Sequence, residues 1–519
     1  MPVSESSLVP NAIRVEFEGG EHCFARPAER MSFKDIIVDL VPNRSDELAR
    51  LEIGVTAGKS ALLALEVYWE QPWRPSMRFL GNVWGEMEGR GQWRTMDPLR
   101  PFPWYVLGQG EESARGLGVL AQPGGFAVWR VNPSGVRLRL DLRCGTRGVL
   151  LEGRRLLAAT VIYRRYERTP LAAARDFCAE LSPAPILPSL PVYGQCDGHY
   201  YHGTSSSKSI LADTLELARL SGGLTNPPFQ VVDLGWEANA GAPCGHCGPW
   251  GPGNERFPDM AALAEDIKAS GVRPGVAVRL LCDPSDRLPE AWRQKRAPEM
   301  LDPSVPEVLE HVREDIRRLA DWGYDLIKHV NSTHDCLGSY LSPDFGEGGW
   351  SFADRSRTSA EIIVDFYRAI KSAMGDTLIM GTDIVGQLGA GLLHCSRINR
   401  DAPKEDWQHA LHNRVNALAF RYCQNGTCFM VDTGELEVSE RQPWSSVKSF
   451  AELAAFSGST FFLSMQPGIL TAKLRKELVK CFEIASMGDS QVIPLDWLNN
   501  TCPEDWEING SARHFDWYS

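Results

Sequence analysis

Tyr324-Asp325-Leu326-Ile327-Lys328-His329-Val330-Asn331-Ser332-Thr333-His334-Asp335 reads as a short buried strand running into a polar loop. The residues before it are helical in pattern. Val308, Leu309, Val312, Ile316, Leu319 and Ala320 recur at three- and four-residue spacing, and Gly323 stops the helix. Helix, glycine and apolar strand make an αβ unit, and parallel barrels carry their chemistry at the C-terminal ends of such strands. A strand that ends in Lys, His, Asn, Ser, Thr, His and Asp therefore predicts the floor of an active site.

Outward from this unit the same texture repeats. Apolar strands are expected at 192–195, 229–233, 275–280, 377–383, 392–396, 427–432 and 460–464, with helices at 257–268, 359–374 and 471–486. Together with the strand at 326–331 the count is eight, which predicts an α/β fold, a (β/α)8 TIM barrel, over residues 192–488. Four prolines in residues 182–191 make a stiff linker, placed at 183–191. Before it, period-two alternation at 13–17, 62–69, 136–142 and 157–163 predicts an antiparallel β-sandwich over 1–182. Trp73, Trp84, Trp93 and Trp104 are read as its core and packing residues. Residues 489–519 form a C-terminal extension, with 494–497 and 515–518 resembling the approach to another β-domain.

Composition narrows the function. Lys and Arg number 54 against 66 Asp and Glu, a net charge of −12, which argues against nucleic acid and anionic membranes as partners. No apolar run reaches the ~18–20 residues of a membrane span, and the first residues lack the pattern of a secretory signal, so a cytoplasmic location is expected. Thirteen scattered cysteines fit reduced thiols better than a disulfide framework. Homo-oligomerisation is left open.

The polar strand ends are Asp197, Asp233, Arg279, Lys328, Asp383, Arg397 with Asp401, and Asp432. In a barrel these converge on one mouth. Carboxylates and cations together make charge-assisted hydrogen bonds to hydroxyls, and paired carboxyls do acid–base work, so the expected partner is a carbohydrate. One Asp at a strand end is more often a helix cap; seven polar ends together are not.

These residues carry a resemblance. A β-sandwich followed by a barrel with Phe229-Gln230-Val231-Val232-Asp233-Leu234-Gly235-Trp236, Phe257-Pro258-Asp259, Leu326-Ile327-Lys328-His329 and Ser396-Arg397-Ile398-Asn399-Arg400-Asp401 resembles the α-galactosidase (melibiase) superfamily of glycoside hydrolases. The resemblance implies sugar-binding roles for Asp233 and Lys328, and an acid/base role for Asp401, which follows Arg397 at the family's spacing; Trp236 is read as a further substrate contact, and His329 as a substrate contact or a buried partner. The resemblance also exposes two departures. The second sugar-binding carboxylate of the family falls on Leu234, and the nucleophile falls on Val330. Valine attacks no anomeric carbon, so the expectation is a glycosidase that acts on an α-linked sugar by an atypical mechanism, through an inverting water or another nucleophile, with Asp401 as general acid/base. Asp383 is then a candidate base for water, with a helix cap or substrate contact as its alternative. Asp335, five residues beyond Val330, is a candidate replacement carboxylate, with a turn cap as its alternative. Two other functions stay open: an inactive sugar-binding protein on a hydrolase barrel, and a zinc- or thiolate-dependent hydrolase suggested by Cys244-Gly245-His246-Cys247 near Cys196, His199, His202, His334 and Cys336. Free thiols are favoured there, so no metal and no cofactor are expected.

Overall fold

A computed structural model describes residues 8–44, 48–70, 73–84, 91–338, 349–398, 407–488 and 490–517. The N-terminal part is two antiparallel sheets of seven strands each. One is centred on Ala61–Glu70, flanked by Ala12–Phe17 and Gly135–Asp141; the other on Ala49–Ala57 and Arg155–Tyr166. Alternation does what the sequence predicts. Ile13, Val15, Leu65, Val67, Ile53, Val55 and Val161 are buried, while Arg14, Glu16, Glu52 and Glu66 beside them are exposed or half-buried. Trp69 and Trp129 stack at 5.9 Å in this core, and Trp73, Trp84, Trp93 and Trp104 are all buried. The helix Pro170–Leu181 closes the sandwich by laying Phe177 over Gly116, where a Cβ would stand only 2.7 Å from the ring.

Eight parallel strands then close into a barrel: β1 (Tyr193–Cys196), β2 (Phe229–Val232), β3 (Arg273–Val278), β4 (Leu326–His329), β5 (Leu378–Gly381), β6 (Cys395–Arg397), β7 (Met430–Val438) and β8 (Thr460–Met465). Its helices are built as the pattern requires. Pro306–Asp321 starts on proline and buries Val308, Val312, Ile316 and Leu319; Ser359–Ala373 carries a capping box between Thr358 and Glu361. No helix among the described residues is long and apolar enough to cross a membrane.

Two strands differ from expectation. Residues 392–394 are turn and lead-in, so β6 begins only at Cys395. Residues 427–429 belong to a turn closed by Cys428 N–H on the Gln424 carbonyl, and β7 instead runs on to Val438. The register of β7 against β8 shifts between Asp432 and Glu435, where Gly434 takes φ +79°. Such a bulge re-aims side chains. Here it brings two carboxylates of one strand, Asp432 and Glu435, onto the same arginine.

Between β5 and β6 the usual barrel helix shrinks to one turn, Gly386–Gly389, and the sandwich covers the gap. Gln387 exchanges two hydrogen bonds with the backbone of Ala127, and its own carbonyl accepts from Gln122 N–H at 2.7 Å. The C-terminal extension is a three-stranded antiparallel sheet, Val492–Pro494, Asp505–Ile508 and Ser511–His514. Its Trp497 packs on Trp93 of the N-terminal part and on Phe420 of the helix Trp407–Arg421.

Candidate functional site

Side chains on a strand alternate between barrel interior and surrounding helices. On β4 that alternation turns Lys328 inward and His329 outward. The Lys328 ammonium donates to Glu435 Oε1 at 2.6 Å and Asp233 Oδ2 at 3.0 Å. Arg397 on β6 donates through Nε to Asp432 Oδ2 at 2.6 Å and through Nη2 to Glu435 Oε2 at 2.8 Å. His199, in the loop after β1, lies with Nε2 3.4 Å from Glu435 Oε2. Asp432 is also held by Thr460 Oγ1 and Gly434 N–H. Asp197 accepts the Asp233 N–H at 2.6 Å, and the Cys196 thiol donates to Asp233 Oδ2 at 3.2 Å.

The ends of β2, β4 and β6 and the bulged strand β7 thus build a row of alternating charges: Asp233, Lys328, Glu435, Arg397, Asp432. Burial alone would favour the neutral forms of Asp233, Lys328 and Glu435, and their neighbours' charges oppose it. For Glu435, burial pushes the pKa up, but the charges of Arg397 and Lys328, with His199, carry it well below the usual carboxylate range. For Asp233, burial is likewise outweighed, chiefly by Lys328, and the pKa falls. Lys328 is raised well above normal because Asp233, Cys196 and Glu435 overcome its own desolvation. Asp197 is the exception: burial, then the charge of Asp233, lifts it to about 6. Asp233 and His199 are the most open members, with side chains 15% and 22% exposed, so a ligand in the mouth meets them first.

Several sequence candidates sit elsewhere. Trp236 is fully buried, donates its indole N–H to the Ala277 carbonyl at 2.9 Å and packs on Trp250 and Trp322. It is a packing residue, which corrects the expected substrate contact. His329 takes the buried of its two readings: its Nδ1 pairs with Ser332 Oγ at 2.6 Å, its ring faces Phe366 and Tyr367, and burial pushes its pKa down to about 3. Asp335 does not stand ready to replace a nucleophile. Arg279 clamps both its oxygens at 2.7–3.1 Å, and its side chain is 0% exposed. Swinging it out would strand a buried guanidinium at a cost of roughly 3–5 kcal/mol. Arg279 also donates to the Cys244 carbonyl at 2.7 Å, so it organises the loops rather than facing a ligand.

Asp383, at the end of β5, adopts φ +53° and accepts the His334 N–H on Oδ2 at 2.8 Å, while its carbonyl accepts from Thr333. Asn331 is left-handed as well, at φ +56°, so the chain leaves β4 and β5 through two adjacent unusual conformations. Val330 is buried and continues β4 by donating its N–H to the Val278 carbonyl. Asp401 lies outside the described residues.

Glu435 is the member of the cluster that sequence reasoning missed. It lies three residues past the supposed strand end, and Asp432-Thr433-Gly434-Glu435 was a readable signal, since glycine inside a strand marks a bulge. His199 and Cys196 were singled out, but as metal ligands rather than as partners of Glu435 and Asp233.

No protein-family model matches the sequence, and no curated protein matches it. Solved structures do. TtGalA, an α-galactosidase from Thermus thermophilus in complex with p-nitrophenyl α-D-galactopyranoside, superposes with a TM-score of 0.64 at 15% identity, covering 94% of this chain and 99% of that one. The chain shares its fold with this α-galactosidase. The GH36 α-galactosidase AgaA from Geobacillus stearothermophilus, in a variant complexed with 1-deoxygalactonojirimycin, gives 0.63 at 12% identity, covering 91% and 71%. The galactosidase domain of AgaSK gives 0.60 at 14% identity, covering 91% and 70%. The likeness in fold thus spans both the sandwich and the barrel.

Proposed function

We propose that the chain acts on a carbohydrate at the C-terminal mouth of the barrel, as a glycosidase that directs water, rather than a strand-four carboxylate, at the anomeric carbon. The observation that carries this reading is Lys328, fixed on the floor between Asp233 and Glu435 with Val330 beyond it. The charged floor has donors and acceptors for sugar hydroxyls, while the nucleophile position holds an aliphatic group. Solved structures of the same fold are complexes with p-nitrophenyl α-D-galactopyranoside and with 1-deoxygalactonojirimycin, which supports a sugar as the ligand class. Leu234 in place of a second carboxylate argues for a sugar other than galactose.

In this mechanism Asp401 protonates the leaving oxygen as the glycosidic bond breaks. Asp383 takes a proton from the water that attacks from the opposite face, and the product has inverted configuration. Such a pair needs ~6.5–9.5 Å between carboxyls to seat the water. Asp335 is withdrawn from the role by Arg279.

Proton NMR of the purified protein with a panel of α- and β-linked aryl glycosides tests this. Wild type should release sugar whose first anomer is inverted, and Asp401→Asn should lose about 10²–10⁴-fold in rate. A retained first anomer, or full activity in Asp401→Asn, refutes it. One observation favours a second reading, a sugar-binding protein without turnover: Asp233, Glu435 and Asp432 are each already paired with a cation. Saturable ligand-induced shifts with no product would select that reading.

A further inference from the structure

Three thiols from two separate loops meet beside the mouth. Cys244 and Cys247 come from the loop after β2, and Cys282 from the loop after β3; their Sγ atoms all lie within 4.8 Å of one another. Cys244 and Cys247 approach to 3.1 Å, well outside the ~2.05 Å of a disulfide bond. Cys247 and Cys282 are fully buried, and Cys244 is half-buried at the solvent side. We propose that Cys244, Cys247 and Cys282 form a three-thiolate site for a thiophilic divalent cation of the zinc class, with the fourth position open towards solvent through Cys244.

The geometry is close to what such an ion needs. With Zn–S bonds of ~2.3 Å in tetrahedral array, sulfurs stand about 3.8 Å apart, so small rotations of the three side chains suffice. The pairing Cys-x-x-Cys supplies the usual close-spaced half of a zinc site, and the third sulfur arrives from a residue thirty-five positions further on. That convergence is imposed by the fold. Gly248 N–H donates to the Cys282 carbonyl at 2.8 Å, Asn239 Nδ2 donates to the Gly248 carbonyl at 2.7 Å, and Arg279 Nη1 donates to the Cys244 carbonyl at 2.7 Å. The backbone of both loops is therefore held before any ion arrives. His246 sits between the two cysteines of the pair and pairs through Nδ1 with Glu237 at 2.7 Å; it does not belong to the group of ligand atoms within 4.8 Å of one another, so it is not counted among the ligands. Met300 lines the same apolar pocket and keeps it soft and dry.

Binding is an exchange of protons for the ion: three S–H bonds break, three metal–sulfur bonds form, and three protons leave to solvent with no change of oxidation state. The second cluster of ligating groups on the barrel floor, Cys196 with Asp233 and Glu435, is not a competitor, because the Lys328 ammonium already fills it.

The full-length protein, purified without chelator, should carry one equivalent of zinc by elemental analysis. After chelator treatment, titration with Co²⁺ should produce the thiolate-to-cobalt charge-transfer band and intense visible bands of a tetrahedral site. Cys282→Ala should lose both signals, whereas Cys481→Ala, a buried cysteine far along the chain on the helix Ala472–Met487, should keep them. The cobalt titration of wild type needs no variant, so the test survives a Cys282→Ala protein that fails to fold. Substoichiometric zinc together with octahedral cobalt spectra overturns the proposal, as does a Cys244–Cys247 disulfide in the freshly purified, unreduced protein.

Discussion

Replacing Lys328 by methionine keeps the length of the side chain and removes the cation held between Asp233 and Glu435. Its ammonium lies 2.6 Å from Glu435 and 3.0 Å from Asp233, contacts that in an effective dielectric near 20 each correspond to roughly 6 kcal/mol of gross attraction. Most of that offsets the cost of burying the ions. What remains measurable is the penalty of leaving carboxylates unpaired, about 3–5 kcal/mol, a large share of the 5–15 kcal/mol typical of a folded domain. Glu435 keeps Arg397, so the burden falls mainly on Asp233. Without Lys328 the depressed pKa of Asp233 rises, and protonation relieves the penalty as pH falls. Urea unfolding at pH 7.5 should therefore show Lys328→Met destabilised by about 3–5 kcal/mol, with a smaller deficit near pH 5. Adding Asp233→Asn should recover part of the loss at pH 7.5 and remove most of the pH dependence. A deficit under about 1 kcal/mol, or one equal at both pH values, would mean that the row of charges does not hold the floor together.

Asp197 offers the opposite sign. Its pKa is raised from 3.8 to about 6, so the folded protein holds this proton more tightly than the unfolded chain and stability is lost as pH climbs between about 4 and 6. Asp197→Asn, which keeps an acceptor for the Asp233 N–H, should gain up to about 3 kcal/mol at pH 8 and nothing below pH 4; no gain at pH 8 in urea unfolding refutes the reasoning. Asp335→Ala should cost about 3–5 kcal/mol by stranding Arg279, while Asp335→Leu combined with Arg279→Leu should recover part of it; a double variant as unstable as the single one would show that the pair is not the cause.

The barrel was legible because its strands are short, apolar and separated by helices with readable caps and periodicity. The floor was legible in part. Lys328, Asp233, Arg397 and Asp432 stand at strand ends, and a strand end in a barrel fixes a position in space. Glu435 was hidden by the bulge at Gly434, which lets one strand supply two carboxylates to the same arginine. The motif leaves His329 between the mouth and a buried partner, although the two-residue period that turns Lys328 inward turns its neighbour outward and decides for the second; Trp236 was placed by proximity to a motif. The Asp335–Arg279 clamp joins residues fifty-six positions apart, and no local pattern announces such a pair.

The sandwich that covers the gap between β5 and β6 has a consequence for how the chain is made. It emerges from the ribosome complete before any barrel strand, and domains fold in that order. Gln122, Ala127 and the indole of Trp104 then wait as a template on which Gly386 and Gln387 dock late in synthesis. The sandwich is in that sense an intramolecular folding partner: it receives the barrel's least protected flank at the stage when the last strands are still absent and the parallel sheet is still open.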